Sequence, residues 1–151
     1  MSVKVLSPVK GVLAPITEVP DPVFAQAMVG PGVAVHPELT AGDAVSPVDG
    51  TVVTLHPHAF VVATADGAAV LVHLGIDTVK LKGEGFTLHV VKGETVRAGQ
   101  PVIGWDPAAV QEGGKSPICP VVALDATAEN VVDVREPGPV EAGEALFTWQ
   151  R

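Results

Sequence analysis

Glycine and proline punctuate this chain from end to end. Sixteen glycines and fourteen prolines are spread along 151 residues rather than gathered in one linker. Between them the apolar runs are short, rich in valine, and cut by turn residues or charge. That rhythm describes an all-β fold, an antiparallel sandwich or barrel with short helical turns. Strands are expected near Val3–Leu6, Gly11–Pro15, Val33–His36, Gly50–Leu55, His58–Thr64, Ala68–Leu74, Phe86–Val90, Pro101–Trp105, Pro120–Leu124, Val131–Val134 and Ala145–Gln150. Two short helices are expected at Asp21-Pro22 and Asp106-Pro107, where an N-cap residue precedes a proline at the first helical position. The second should stop by Gly113-Gly114. Three segments share a Gly…Val…Gly rhythm: 42–50, 93–99 and 138–143. Each reads as a turn, a core valine and another turn leading into a strand. Their irregular period argues against a solenoid.

The length suits one domain spanning residues 1–151 with a sizeable core. No stretch approaches the ~20 apolar residues of a spanning helix. The N-terminus lacks an apolar core of signal-peptide length, so a cytoplasmic protein without stable membrane insertion is expected. The single cysteine, Cys119, excludes an internal disulfide and fits a reducing compartment. It reads as a small core residue. The formal charge of −8, from 17 acidic and 9 basic residues, disfavours nucleic acid and anionic membranes as partners.

One segment carries chemistry. Gly67-Ala-Ala-Val-Leu-Val-His73-Leu-Gly-Ile-Asp-Thr-Val79 places an imidazole inside an apolar strand pattern, where packing gives no reason for one. Upstream, His58-Ala-Phe-Val-Val-Ala-Thr64 reads as the partner strand, with Asp66-Gly67 as a two-residue turn. That loop pairs Val62 with Leu71 and Phe60 with His73. His58 then becomes the diagonal neighbour of His73 on one face, about 7 Å away. A three-residue loop would shift the register by one and separate the histidines. Two neighbouring imidazoles suit phosphoryl transfer, since one can attack while the other steadies the phosphoryl oxygens. They also suit zinc, which wants a third protein ligand. His56 falls on the same face by parity. From spacing alone, phosphotransfer, metal binding and simple packing stay open.

At these residues the chain resembles the glucose-type IIA component of the phosphoenolpyruvate:sugar phosphotransferase system. The 67–79 segment matches that family's phosphorylation-site signature. Leu81-Lys-Gly-Glu-Gly-Phe86, His58-Ala-Phe60, Pro47-Val-Asp-Gly-Thr51 and Val19-Pro-Asp-Pro-Val-Phe24 extend the match. So do Gly93–Gln100, Pro120-Val-Val122 and the 138–144 turn. The resemblance implies a β-sandwich of the duplicated-hybrid-motif type and a phosphotransferase component. It implies His73 as phosphoacceptor through Nε2 and His58 as the imidazole that contacts the phosphate and assists onward transfer. The donor would be phospho-HPr, and the acceptor a cysteine on the IIB domain of a sugar permease. Asp21, Val23, Phe24, Val29, Phe60, Leu71, Asp77 and Val79 would surround the site and dock partners. No cofactor is required and no resident metal is expected, though His58 and His73 could take an adventitious zinc. The unphosphorylated surface of related proteins also restrains other proteins.

The chain departs from the family pattern in places. The loop before His58 is about two residues shorter, and a family Thr-x-His has become His56-Pro-His58, with His56 expected to face solvent. Residues 115–130 are less typical. The chain starts close to its first strand, so the long N-terminal tail that some members use at the membrane is not expected. Two rivals from other classes each need residues beyond the histidine pair. A biotinyl or lipoyl carrier would need a lysine at the hairpin tip, where Asp66-Gly67 stands. A zinc peptidase would need further ligands and a base, for which His36 and Asp43 are the loosely suitable pair.

Overall fold

The computed structural model describes residues 2–150. Its two α-helices are short and capped as the sequence predicts. Asp21 Oδ1 accepts from the Val23 amide at 2.9 Å and starts α1, Pro22–Ala25. Asp106 Oδ1 accepts from the Ala108 and Ala109 amides at 3.0 and 3.4 Å and starts α2, Pro107–Glu112, which ends at Gly113. Everywhere else β-structure dominates. In chain order the strands are β1 (Ser2–Leu6), β2 (Gly11–Pro15), β3 (Gly32–Pro37), β4 (Gly42–Val45), β5 (Gly50–His56), β6 (Ala59–Ala63) and β7 (Ala69–His73). They continue as β8 (Thr87–Leu88), β9 (Thr95–Val96), β10 (Pro101–Trp105), β11 (Cys119–Ala123), β12 (Val131–Val132), β13 (Gly138–Val140) and β14 (Ala145–Gln150).

All recorded pairings are antiparallel. The large sheet has the order β13-β2-β3-β11-β7-β6-β5-β9, and two small sheets run β1-β14-β12 and β4-β10-β8. Alternation along the central strands sorts their side chains into two layers. Val33, Val35, Phe60, Val62, Val70, Val72, Cys119 and Val121 point inward and meet Val5, Phe147, Trp149, Ile103 and Trp105 from the small sheets. Cys119 is buried as a core residue, and burial pushes its thiol up to about 12. Ala34 and Val122 face the other way. There they join Ile118, Ile76, Val19 and Phe24 in a second cluster, formed where the segment around α1 covers the outer face.

Two of the three echoing segments prove structurally equivalent. Ser7-Pro8-Val9 and Ser46-Pro47-Val48 each turn by a buried serine hydroxyl donating to the valine carbonyl, at 2.6 and 2.7 Å. They interlock reciprocally: Leu6 N donates to Pro47 O and Val45 N to Pro8 O, both at 2.9 Å. The glycines Gly143 and Gly99, which end two of the echoes, donate to Ser7 O and Ser46 O at 2.9 and 2.8 Å. The third echo supplies Ser46 itself. This internal duplication is the one expected of the fold type. The short strands β4, β9 and β13 lie within the echoes, where the sequence reading saw only turns, and Phe86–Val90 shrinks to β8. Strands of two to four residues leave too little alternation to register.

The β6–β7 hairpin corrects the expected register. Ala59 pairs with His73, Phe60 with Val72, and Val61 with Leu71. The loop is Ala65-Asp66-Gly67, one residue longer than Asp66-Gly67 alone. Thr64 O accepts from Gly67 N at 3.0 Å, Thr64 N donates to Ala68 O at 2.7 Å, and Gly67 takes φ +92°. A three-residue loop of this kind ends in a left-handed residue, which glycine adopts without strain. Thr64 Oγ1 adds bonds to Asp66 Oδ1 and the Ala68 amide. The expected turn omitted these threonine contacts.

Candidate functional site

The register shift should have parted the histidines, yet their rings are together. His58 and His73 have centroids 5.2 Å apart, edge to face at 66°. The reason is that His58 lies outside the strand. β5 and β6 are joined by Pro57-His58, with His56 paired to Ala59. Proline presets the first turn position, and His58 takes the second without a positive φ. In that turn the strict up-down alternation of a strand no longer governs its side chain. The backbone keeps register, since Leu74 N donates to His58 O at 2.7 Å, while the ring leans toward His73.

His73 closes β7 on the outer face, beside the second apolar cluster. The Phe24 ring stands 5.4 Å away at 59°. His73 Nδ1 bonds the Gly75 carbonyl oxygen. A carbonyl only accepts, so Nδ1 carries the proton and the Nε2 lone pair is free. Gly75 holds that carbonyl in place at φ +80°, and a Cβ there would sit 2.7 Å from Thr78 Cγ2 and 2.9 Å from Ser116 O. Around it, Thr78 Oγ1 donates to Leu74 O at 2.8 Å and Ile76 N to Ser116 O at 2.9 Å.

Electrostatics keep both rings neutral. Burial lowers the His73 pKa, opposed by the Gly75 carbonyl, Asp21 and Asp77. His58 is lowered to about 4, first by burial and then by His73 and His56. Both imidazoles are thus uncharged near neutral pH, one with a free lone pair and the other able to donate one N–H.

The other expected site residues divide. Asp21 caps α1, and Phe24 packs on His73. Val29 and Leu71 are partly buried against the Phe24 cluster. Val23 and Val79 are exposed at 39% and 59%, and Asp77 is exposed as well. Phe60 does not belong with them. It is fully buried in the main core, because the one-residue register shift turns it inward opposite Val72, so no partner can touch it. His56 is exposed, as expected, but its ring stacks on His58. The expectation missed Gly75, whose signal was the Leu-Gly pair directly after His73. It also missed Pro57, which builds the turn.

His36 and Asp43, the pair a zinc peptidase would use, are engaged elsewhere. His36 Nε2 lies 3.0 Å from Glu18, and Asp43 lies 2.8 Å from His89 Nε2. Among the described residues no three His, Cys, Asp or Glu side chains are grouped to hold a metal. Nor does any helix among them have the length and apolarity to cross a membrane.

The fold and the histidine pair together define an all-β carrier domain built around neighbouring imidazoles on an outer sheet face. Comparison with known proteins gives the class its family. Residues 3–128 match the model of the phosphoenolpyruvate-dependent sugar phosphotransferase system, EIIA 1. The chain is 43% identical over 135 residues to a PTS system glucose-specific EIIA component of Oceanobacillus iheyensis, covering 88% of this chain and 79% of that one. It is 38% identical over 143 residues to a beta-glucoside-specific EIIBCA component of Bacillus subtilis, covering 93% of this chain and 23% of that longer protein. Glucose permease IIA from Mycoplasma capricolum superposes with TM-score 0.90 at 32% identity, over 98% of this chain and 96% of that one. The chain belongs to the EIIA 1 family of the phosphoenolpyruvate-dependent sugar phosphotransferase system and is a phosphoryl-relay component of it.

Proposed function

We propose that His73 Nε2 accepts a phosphoryl group from phospho-HPr and passes it to a cysteine of a sugar-permease IIB domain. The observation that carries this reading is the Nδ1 bond to the Gly75 carbonyl, which presents the other nitrogen as a nucleophile of fixed direction. In the first step the nitrogen–phosphorus bond of HPr breaks as the bond to His73 Nε2 forms. In the second the cysteine thiolate attacks phosphorus, and Nε2 leaves with its lone pair, Nδ1 keeping its proton throughout. His58 donates an N–H to the phosphoryl oxygens in the second step, as the group leaves for the cysteine.

His58 suits this task because it is neutral. A permanent cation about 4 Å from one phosphoryl charge would attract it by about 4 kcal/mol near a protein surface. Held only in the loaded state, that attraction would slow release roughly a thousandfold. A relay needs a donor without that grip. Val23, Val79 and the partly buried Val29 and Leu71 supply an apolar docking face. Asp21 and Asp77 are acidic groups that can steer a basic partner to it. A dianion added to this face would penalise any protein that must bury it, so regulatory partners would prefer the unphosphorylated form. The relatives fused to IIB and IIC domains support IIB as the acceptor. The relay works in the cytoplasm.

The test is to incubate the protein with phosphoenolpyruvate, enzyme I and HPr, then map the modified residue. One acid-labile, base-stable phosphoryl group on His73 is expected. Modification at another residue defeats the assignment.

A further inference from the structure

The turn that carries His58 also carries a third imidazole. His56 closes the hairpin opposite Ala59. Its exposed ring lies over that of His58, centroids 5.7 Å apart and planes 21° from parallel. His58 in turn meets His73 edge-on. The three rings form a row with His58 in the middle. His73 has a backbone carbonyl to fix its ring, whereas His58 is held by a ring neighbour on either side.

That difference matters for the second step. An imidazole rotates about a broad, roughly two-fold final torsion. A swung or flipped His58 would aim a carbon, not an N–H, at the phosphoryl oxygens. A ring laid across its face restricts that rotation, and offset-stacked rings bias each other roughly 2- to 10-fold. Pro57 stiffens the same tip, standing where a Cβ on Gly83 would come within 3.3 Å of its ring.

We propose that His56 is a positioning residue for onward transfer: its ring, stacked on His58, holds the plane in which His58 presents an N–H to a phosphoryl group on His73. The inference rests on the reading of His73 as acceptor. His56 also acts through charge. The titratable groups facing the row are His56 and His73 upon His58, and Asp21 and Asp77 upon His73. A proton on His56 opposes one on His58 and so helps to keep the middle ring neutral.

Two substitutions separate ring from charge. Loading by phospho-HPr and discharge to the IIB domain are timed separately in single turnovers for the wild type, His56→Ala and His56→Phe. His56→Ala should discharge about 3- to 10-fold more slowly while loading within about twofold of the wild type. His56→Phe keeps a ring over His58, so discharge should return to within about twofold of the wild type. Its His58 should titrate at higher pH, read from the ring nitrogen signals by NMR, because one repelling charge is gone. Wild-type discharge in His56→Ala, or His56→Phe as slow as His56→Ala, overturns the proposal. Should His56→Ala fail to fold, the wild-type signals decide: His58 must show one ordered tautomer, and an averaged ring refutes the role. Failure of the relay reading looks different, since the wild type itself would then take no phosphoryl group on His73.

Discussion

His73 and His89 each set one ring nitrogen against an oxygen. For His73 the oxygen is the uncharged Gly75 carbonyl. For His89 it is the Asp43 carboxylate, 2.8 Å away, with the two side chains 37% and 46% exposed. The first contact sits under the Phe24 ring on the large sheet. The second spans β10 at Gly104, where a Cβ would come within 3.1 Å of both partners. A carbonyl orders a ring without adding charge and leaves the far nitrogen open to attack. A carboxylate on an exposed surface makes an ion pair worth about 0–1 kcal/mol. Residue type is equal in the two places; the acceptor and the depth leave one imidazole with an open nitrogen and the other paired to a carboxylate.

The comparison breaks most sharply at the nucleophile. His73→Gln should abolish phosphoryl acceptance, measured by labelling from phosphoenolpyruvate, while His89→Gln should label fully. His58→Gln should still load but should discharge to IIB about 100-fold more slowly, the cost of removing one aligned donor. Gly75→Ala attacks the carbonyl itself. A left-handed φ, with a Cβ 2.7 Å from Thr78 and 2.9 Å from Ser116, should cost about 2–4 kcal/mol in denaturant titration. The displaced carbonyl should slow loading as well.

Acid sharpens the contrast. His58 falls to about 4 in the folded protein from an ordinary 6.5, and His73 shifts in the same direction. Between those values the unfolded chain binds more protons, so stability rises with pH there. The contribution is complete above pH ~6.5 and fades as pH falls toward ~4. The melting temperature should therefore drop between pH 7 and 5, and His58→Gln should flatten the drop. The smallest effect is expected at the other pair, where His89→Gln should change stability by no more than about 1 kcal/mol.

Much of this was legible in the residues. Strands β2, β10 and β14 fall at the expected bounds because each is a mostly apolar run of five or six residues between turn signals. Asp21-Pro22 and Asp106-Pro107 announced both helices, since capping is a local chemistry. The histidine pair was found, but through a register that proved wrong. Thr64 bonding across its own turn lengthened the loop, and that contact depends on side-chain geometry no pattern of apolarity reveals. The slip let Phe60, set beside the site by the family resemblance, pass as a docking residue although it lies in the core. It spared His58 because a turn residue is not bound by strand parity. Gly75 escaped notice because its function lies in a backbone oxygen, which has no letter in the sequence.

β1 and β14 run side by side, with Ser2 opposite Gln150, in a sheet that lends nothing to the histidine row. Ser2 and Gln150, the first and last described residues, are therefore partners in one ladder. A short linker could join them and a cut could open the exposed stretch at Glu136-Pro137. The resulting circular permutant would thread the same sheets in a new order, its imidazoles undisturbed.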